Sequence, residues 1–245
     1  SYIHFRYGQG KIMGKNSSRQ LGKKINQEIL SLTTKLIELG ISVDQNYPQL
    51  VEVNTKQGPK IKISPKCETF DNKIIFNEEF SYGDMYAQLQ DSRIFNLEFL
   101  DGALLTFSYE IDMSGITNHR LAFFPSVNLL SLESDDGIDL SENIYSDVVS
   151  RNIHPFPIRL DFDKIHAEDC IHPASHLTLG QYKNCRIPVN APVTPIKFIN
   201  FILKNFYNTF YIEKVQGVHL TKSDIGDFEE TITDNEKNSS GYFVI

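Results

Sequence analysis

An alternation of apolar and polar residues over 103–112, interrupted only at Leu104, limits the folds open to this chain. Such alternation is typical of a β-strand that buries one face. The Asp-Gly pair at 101–102 favours a tight hairpin turn that joins this strand to another over 93–100. The Ser-Gly pair at 114–115 turns the chain again, into a third strand over 117–124. The sequence therefore predicts an antiparallel meander.

Two segments with helical spacing of apolar residues supply the layer that such a sheet needs. The first runs over 17–39, and Ser17 or Ser18 is the expected N-cap. The second runs over 194–208, where Thr194 is the N-cap and a proline follows at the first helical position. The predicted fold class is α+β, an antiparallel meander sheet packed by two main helices.

Weaker patterns complete the predicted fold. Paired strands are expected over 49–54 and 60–64, and a short helix over 82–91. Residues 210–215 are expected to form another strand, and the last five residues a final one.

We expect a single domain over 1–245, because no linker-like stretch divides the chain and 40% of its residues are hydrophobic. Within it, residues 1–45 form a basic strand-loop-helix segment and residues 221–240 a polar, acidic tail loop. No apolar run reaches the roughly 20 residues of a membrane span, and no secretory signal is visible. With only three cysteines, we expect a cytoplasmic protein with reduced thiols and no membrane partner.

Charge is unevenly distributed along the chain. The net charge of −7 excludes a protein that coats nucleic acid with its whole surface. The first 40 residues, however, hold seven basic and only two acidic side chains. This basic N-terminal segment predicts contact with a polyanion such as nucleic acid, and the alternative is an ordinary solvated surface.

A glycine-rich loop follows the predicted strand over residues 2–7 and precedes the first helix. We expect Lys11, Lys15 and Ser17 to bind phosphate there, since helix N-termini present free N–H groups. The nucleotide-binding pattern G-x-x-x-x-G-K-[ST] fails at two positions, so a plain loop is the alternative.

The main candidate site begins on a second alternating segment. Arg159, Asp161 and Asp163 are two residues apart and share the polar face of a predicted strand. If residues 176–179 pair antiparallel with this strand, His176 joins the same face. The alternative is a purely structural role, a hairpin whose charged side chains pair across the strands in solvent.

Two further groups follow closely: His172 lies in the connecting loop, and Arg186 comes after the second strand. An imidazole oriented by a carboxylate, with arginine to stabilise developing negative charge, is suited to acid–base chemistry on a phosphodiester. The candidate catalytic residues are His176, His172, Asp161, Asp163, Arg159 and Arg186.

A metal site is the competing interpretation of the same region. Cys170 and Cys185, with the two histidines, are zinc-ligand types, but their spacing is not the paired kind of a zinc ribbon. Asp161, Asp163 and His176 would suit a harder cation. The cofactor stays unknown, and a divalent metal is not favoured. Separately, Glu110 and Asp112 on one strand and Arg120 on the next could bind a cation or form an ion pair, and a cross-strand ion pair is the favoured interpretation.

Three segments, over 101–125, 157–180 and 185–207, resemble DUF2290, a bacterial family known as a domain of unknown function. The resemblance implies a bacterial protein and transfers no catalytic residue. Small proteins of this kind are often encoded in defence or mobile-element gene clusters, which is association only.

Two functional hypotheses follow. The first is a nuclease or other phosphodiester-processing protein of a bacterial defence or mobile-element system. The second is a non-catalytic subunit that binds and regulates a partner protein in such a system. The first requires Arg159, Asp161 and His176 to converge in one concave pocket. The second expects them on a flat surface, with an exposed apolar patch elsewhere.

Overall fold

The structure is a computed structural model that describes residues 15–56, 58–66, 81–127, 154–182, 184–221, 223–239 and 241–245. The helices are α1 (Lys15–Glu38), α2 (Tyr82–Asp91), α3 (Pro195–Phe206), α4 (Asn208–Phe210) and α5 (Asp234–Ser239). The strands are β1 (Ser42–Gln45), β2 (Pro48–Thr55), β3 (Gly58–Pro65), β4 (Leu97–Phe99), β5 (Leu104–Asp112), β6 (Gly115–Phe124), β7 (Ile158–Asp163), β8 (Ser175–Leu179) and β9 (Ile187–Pro188). The strand predicted over residues 2–7 and Lys11 lie outside the described residues.

One antiparallel sheet organises the molecule, so the predicted α+β class is confirmed. Its strand order is β1-β4-β5-β6-β7-β8-β9, and the β2–β3 hairpin joins the remaining part of β5. The turn after β4 has three residues rather than two, because the Phe99 N–H donates to the Ala103 carbonyl at 2.8 Å. Gly102 adopts the left-handed φ of +80° that this turn requires.

The two main helices cover one face of the sheet. Ile25, Ile29, Leu32 and Leu36 form the buried stripe of α1 that the helical spacing predicts. The helix begins at Lys15, so Ser18 is not its N-cap, and neither is Ser17. The Ser18 hydroxyl instead donates to the Asp112 carbonyl at 2.8 Å, tying the first turn of α1 to the sheet.

The opposite face of the sheet is covered only in part by described elements. Met85 and Leu89 of α2 pack against Ala122 and Phe124 of β6. The Ser81 hydroxyl caps α2 in a reciprocal capping box, as its predicted start implies. On β7 and β8 the same face carries polar side chains, and these form the candidate site.

The chain after α3 differs from the prediction. Residues 210–215 are helical, because α4 continues into a π-helical turn over Tyr211–Val215. Phe210 and Val215 are both buried in the main core, and a helical path brings both inward. The tail contains α5, and the final segment forms only an isolated bridge between Val189 and Phe243. No helix in the described ranges is long and apolar enough to cross a membrane.

Candidate functional site

Three adjacent strands place the polar side chains of the site in register. Asp161 of β7 lies opposite Arg120 of β6 on one side and opposite His176 of β8 on the other. Arg159 lies opposite Thr178, two residues away from the Asp161–His176 pair on each strand. The antiparallel pairing predicted for β7 and β8 is therefore present, and His176 shares the face of Asp161.

All six predicted catalytic residues line one cavity of about 420 Å³ on this face. They are Arg159, Asp161, Asp163, His172, His176 and Arg186. Arg120 and Thr178 also line it, and Tyr182 stands at its edge. The convergence that distinguishes the two hypotheses is thus a feature of the fold.

Asp161 is the buried centre of this arrangement. Its Oδ1 accepts a hydrogen bond from Arg120 Nε at 2.7 Å, and its Oδ2 lies 3.8 Å from Arg159 Nε. Burial alone would raise the pKa of this carboxyl, but the neighbouring positive charges of Arg120 and Arg159 outweigh it and lower the pKa to about 2. The carboxylate is therefore ionised at neutral pH.

His176 is oriented so that one ring nitrogen is a free base. Its Nδ1 lies 2.9 Å from the Pro173 carbonyl, which can only accept, so Nδ1 carries the proton. In the neutral ring the lone pair is then on Nε2, which lies 3.9 Å from Asp161 Oδ2. Burial lowers the pKa of His176 against the opposing effect of Asp161, so the ring is neutral at pH 7.

His172 adds a second imidazole to the cavity. Its ring centroid lies 5.0 Å from that of His176, and its side chain is half-buried. Burial and the positive charge of Arg186 lower the pKa of His172. Two histidines therefore lie within reach of one small ligand.

Asp163 is positioned differently from the other candidates. Its Oδ1 accepts the backbone N–H groups of Ile165 and His166, and its Oδ2 lies 2.7 Å from His166 Nδ1. Burial would raise the pKa of Asp163, but these hydrogen bonds lower it. Asp163 thus organises the turn that follows β7. The alternating pattern of β7 gave no indication of its exposed partner His166, which lies beyond the end of the strand.

The ion pair predicted for Arg120 was assigned to the wrong strand. Glu110 lies across from Asn118 and forms its ion pair with Lys60, at 2.8 Å. Arg120 has Ser108 opposite it on β5 and the buried carboxylate of Asp161 on β7. The side chain therefore turns toward the strand that offers a negative charge.

One of the predicted phosphate-binding residues, Ser17, lies away from this cavity. Lys15 is the first residue of α1, and Ser17 lines a separate cavity beside residues 224–233. Among the residues that the structure describes, no group of three or more His, Cys, Asp and Glu could hold a metal ion. Cys170 is exposed, and the Cys185 sulfur accepts the Leu179 N–H at 3.4 Å.

Comparison with known proteins identifies a family and no activity. No curated protein and no solved structure matches the chain. A family model described as an uncharacterised conserved protein, DUF2290, matches residues 41–243, which include all nine strands in the described part of the chain and the whole candidate site. The chain therefore belongs to the DUF2290 family.

Proposed function

We propose that the cavity is a phosphodiester-processing site, and that its reaction is metal-independent cleavage of RNA. The observation that carries the proposal is the convergence of Arg159, Asp161 and His176, with His172, in one concave cavity. A buried base, a second imidazole and guanidinium groups are the set that phosphoryl transfer without a metal requires.

The proposed reaction uses the 2′-hydroxyl of the substrate as its nucleophile. His176 Nε2 removes the hydroxyl proton, and the 2′-oxygen attacks the adjacent phosphorus. The bond from phosphorus to the 5′-oxygen breaks, and this oxygen takes a proton from His172. The negative charge of the bound phosphate favours the protonated form of His172 that this step needs, against the burial that lowers its pKa in the free protein. The products are a 2′,3′-cyclic phosphate and a 5′-hydroxyl, so atoms and charge balance.

The remaining charged groups have supporting roles in this proposal. Asp161 stabilises the imidazolium that forms when His176 takes up the proton, since Oδ2 lies 3.9 Å from Nε2. Arg159 and Arg186 stabilise negative charge that develops on the phosphoryl oxygens. Arg120, bonded to Asp161, holds that carboxylate in place.

Cleavage of a fluorogenic RNA oligonucleotide in the presence of EDTA tests the proposal. Wild-type protein should cleave it, and His176→Ala should lower kcat by about 100-fold or more, the usual contribution of a general base. A DNA oligonucleotide of the same sequence should remain intact, because it lacks the nucleophile. His219→Ala, which removes an exposed histidine outside the cavity, should match wild type.

Two results would contradict this function: no RNA cleavage by wild-type protein, or full activity in a folded His176→Ala variant. Folding of each variant is checked by circular dichroism and thermal unfolding.

The second candidate function, a regulatory subunit that binds a partner protein, is favoured by β2. Val51 and Val53 are exposed on this strand, which pairs only with β3 among the strands described. Apolar side chains on a sheet edge favour contact with another chain. An inactive wild-type protein that co-purifies with one partner, and loses it in Val51→Lys/Val53→Lys, would favour this alternative.

A further inference from the structure

Two exposed aromatic side chains stand at the edge of the arginine-lined cavity. Tyr182 lines the cavity and is 76% exposed, and Phe156 is 49% exposed. Both flank one glycine: a Cβ added to Gly180 would lie 3.4 Å from Tyr182 Cδ2 and 3.8 Å from Phe156 Cβ. The two side chains therefore start close together on the surface of the protein.

The backbone beneath these rings is held in place. The Gly180 N–H donates to the Pro157 carbonyl at 2.7 Å, and Gly180 has a left-handed φ of +66°. A side chain at this position would be strained by that φ, although the space beside Tyr182 would admit a Cβ. The hydrogen bond and the glycine together hold the turn that leads to Tyr182 close to the end of β8. The tyrosine ring is exposed to solvent.

Position distinguishes Tyr182 from an ordinary exposed apolar residue. Scattered exposed apolar side chains are common in folded proteins and need no explanation. Tyr182, however, shares a cavity wall with Arg159 and Arg186, which supply positive charge for a phosphate. An aromatic ring beside guanidinium groups is the combination that single-stranded nucleic-acid sites use, because every base has a face that can stack.

We propose that Tyr182 stacks on an unpaired nucleobase while the adjoining phosphate occupies the arginine-lined cavity. The inference rests on the proposed function and specifies its substrate class: a single strand, since bases in a duplex are already stacked on each other. Phe156, whose Cβ lies close to Gly180, is a second exposed aromatic side chain near this position.

Binding of a fluorescently labelled single-stranded DNA decamer, followed by anisotropy, tests the inference. DNA lacks the 2′-hydroxyl, so binding is measured without cleavage. Tyr182→Ala should weaken binding about tenfold or more, and Tyr182→Phe should bind as wild type does, because it keeps the ring. Tyr47→Ala, at a tyrosine that is 47% exposed and does not line the cavity, is the matched control.

An abasic decamer with the same phosphates separates stacking from charge. Wild-type protein should bind it about as weakly as Tyr182→Ala binds normal DNA. Equal wild-type affinity for the normal and abasic strands, or tighter binding of duplex, would overturn the stacking inference. In that case, RNA cleavage that depends on His176 would still leave the proposed function intact. Wild-type protein that neither binds these strands nor cleaves RNA would overturn both.

Discussion

At the scale of single residues, Asp161 is a buried carboxylate that stays ionised because arginines flank it. Arg120 bonds to it directly and Arg159 lies close by. Removing charges from water costs free energy, which the mutual attraction of the pair offsets only while both partners are present. The ion pair between Arg120 and Asp161 therefore stabilises both the pairing of β6 with β7 and the arrangement of charges in the cavity.

Removing one partner should be costly. Arg120→Met leaves the Asp161 carboxylate buried with less compensation, and we expect it to lower the free energy of unfolding by about 3 kcal/mol. Adding Asp161→Asn to that variant should cost much less than Asp161→Asn costs alone, because the uncompensated charge is gone. Urea denaturation of wild type, both single variants and the double variant measures this coupling, and strictly additive losses would refute it.

At the scale of elements, Glu28 connects the two main helices. Its Oε1 accepts the Ile196 N–H at 2.9 Å, and its Oε2 accepts the Ser223 hydroxyl at 2.5 Å. The Ile196 N–H belongs to the first turn of α3, where free N–H groups need acceptors and the helix dipole favours negative charge. Burial raises the pKa of Glu28 despite these hydrogen bonds.

The two substitutions of Glu28 should differ in cost. Glu28→Ala leaves a buried N–H without an acceptor, and we expect a loss of about 1–3 kcal/mol in the free energy of unfolding. Glu28→Gln keeps an acceptor for Ile196 and should cost clearly less. Glu38→Ala, on an exposed part of the same helix, serves as the control and should change stability by less than about 0.5 kcal/mol. Equal losses for Ala and Gln, measured by urea denaturation, would count against the capping role.

At the scale of the whole molecule, the folded chain holds several histidines neutral. Burial lowers the pKa of His119 to about 3 and lowers the pKa values of His172 and His176 as well. Below the ordinary histidine pKa near 6.5, the unfolded chain therefore binds more protons than the folded chain. This stability is fully present above pH 6.5 and is lost as the pH falls. The raised pKa of Glu28 acts with the opposite sign.

His119 should account for a separable part of this acid sensitivity. Its Nε2 accepts the Val193 N–H at 2.9 Å, and the amide oxygen of His119→Gln can accept the same bond without titrating. Between pH 6 and pH 4 the variant should lose stability less steeply, by up to about 1.4 kcal/mol per pH unit for one proton. Urea denaturation at several pH values measures the slopes. An unchanged slope in His119→Gln would contradict the assignment.

The sequence by itself determined what depends on local periodicity. Alternation along β5 and β7 and helical spacing along α1 follow from the geometry of the backbone, so they showed the meander, the two main helices and the shared face of Arg159, Asp161 and His176. The connection of eleven residues between β7 and β8 kept that part of the site local in the chain. Periodicity failed over 210–215, where a six-residue pattern fits a strand and a helical turn equally well, and burial in the core decided.

Only the tertiary structure decided which distant groups meet. The Arg120–Asp161 pair joins β6 to β7 across more than thirty intervening residues, and no local pattern sets that register. The enclosure of the cavity and the placement of Tyr182 beside it likewise depend on how strands and loops pack. The physical reason is that backbone geometry dictates which side chains share a face, whereas burial and charge compensation, summed over the whole sheet, select the partner that each face receives.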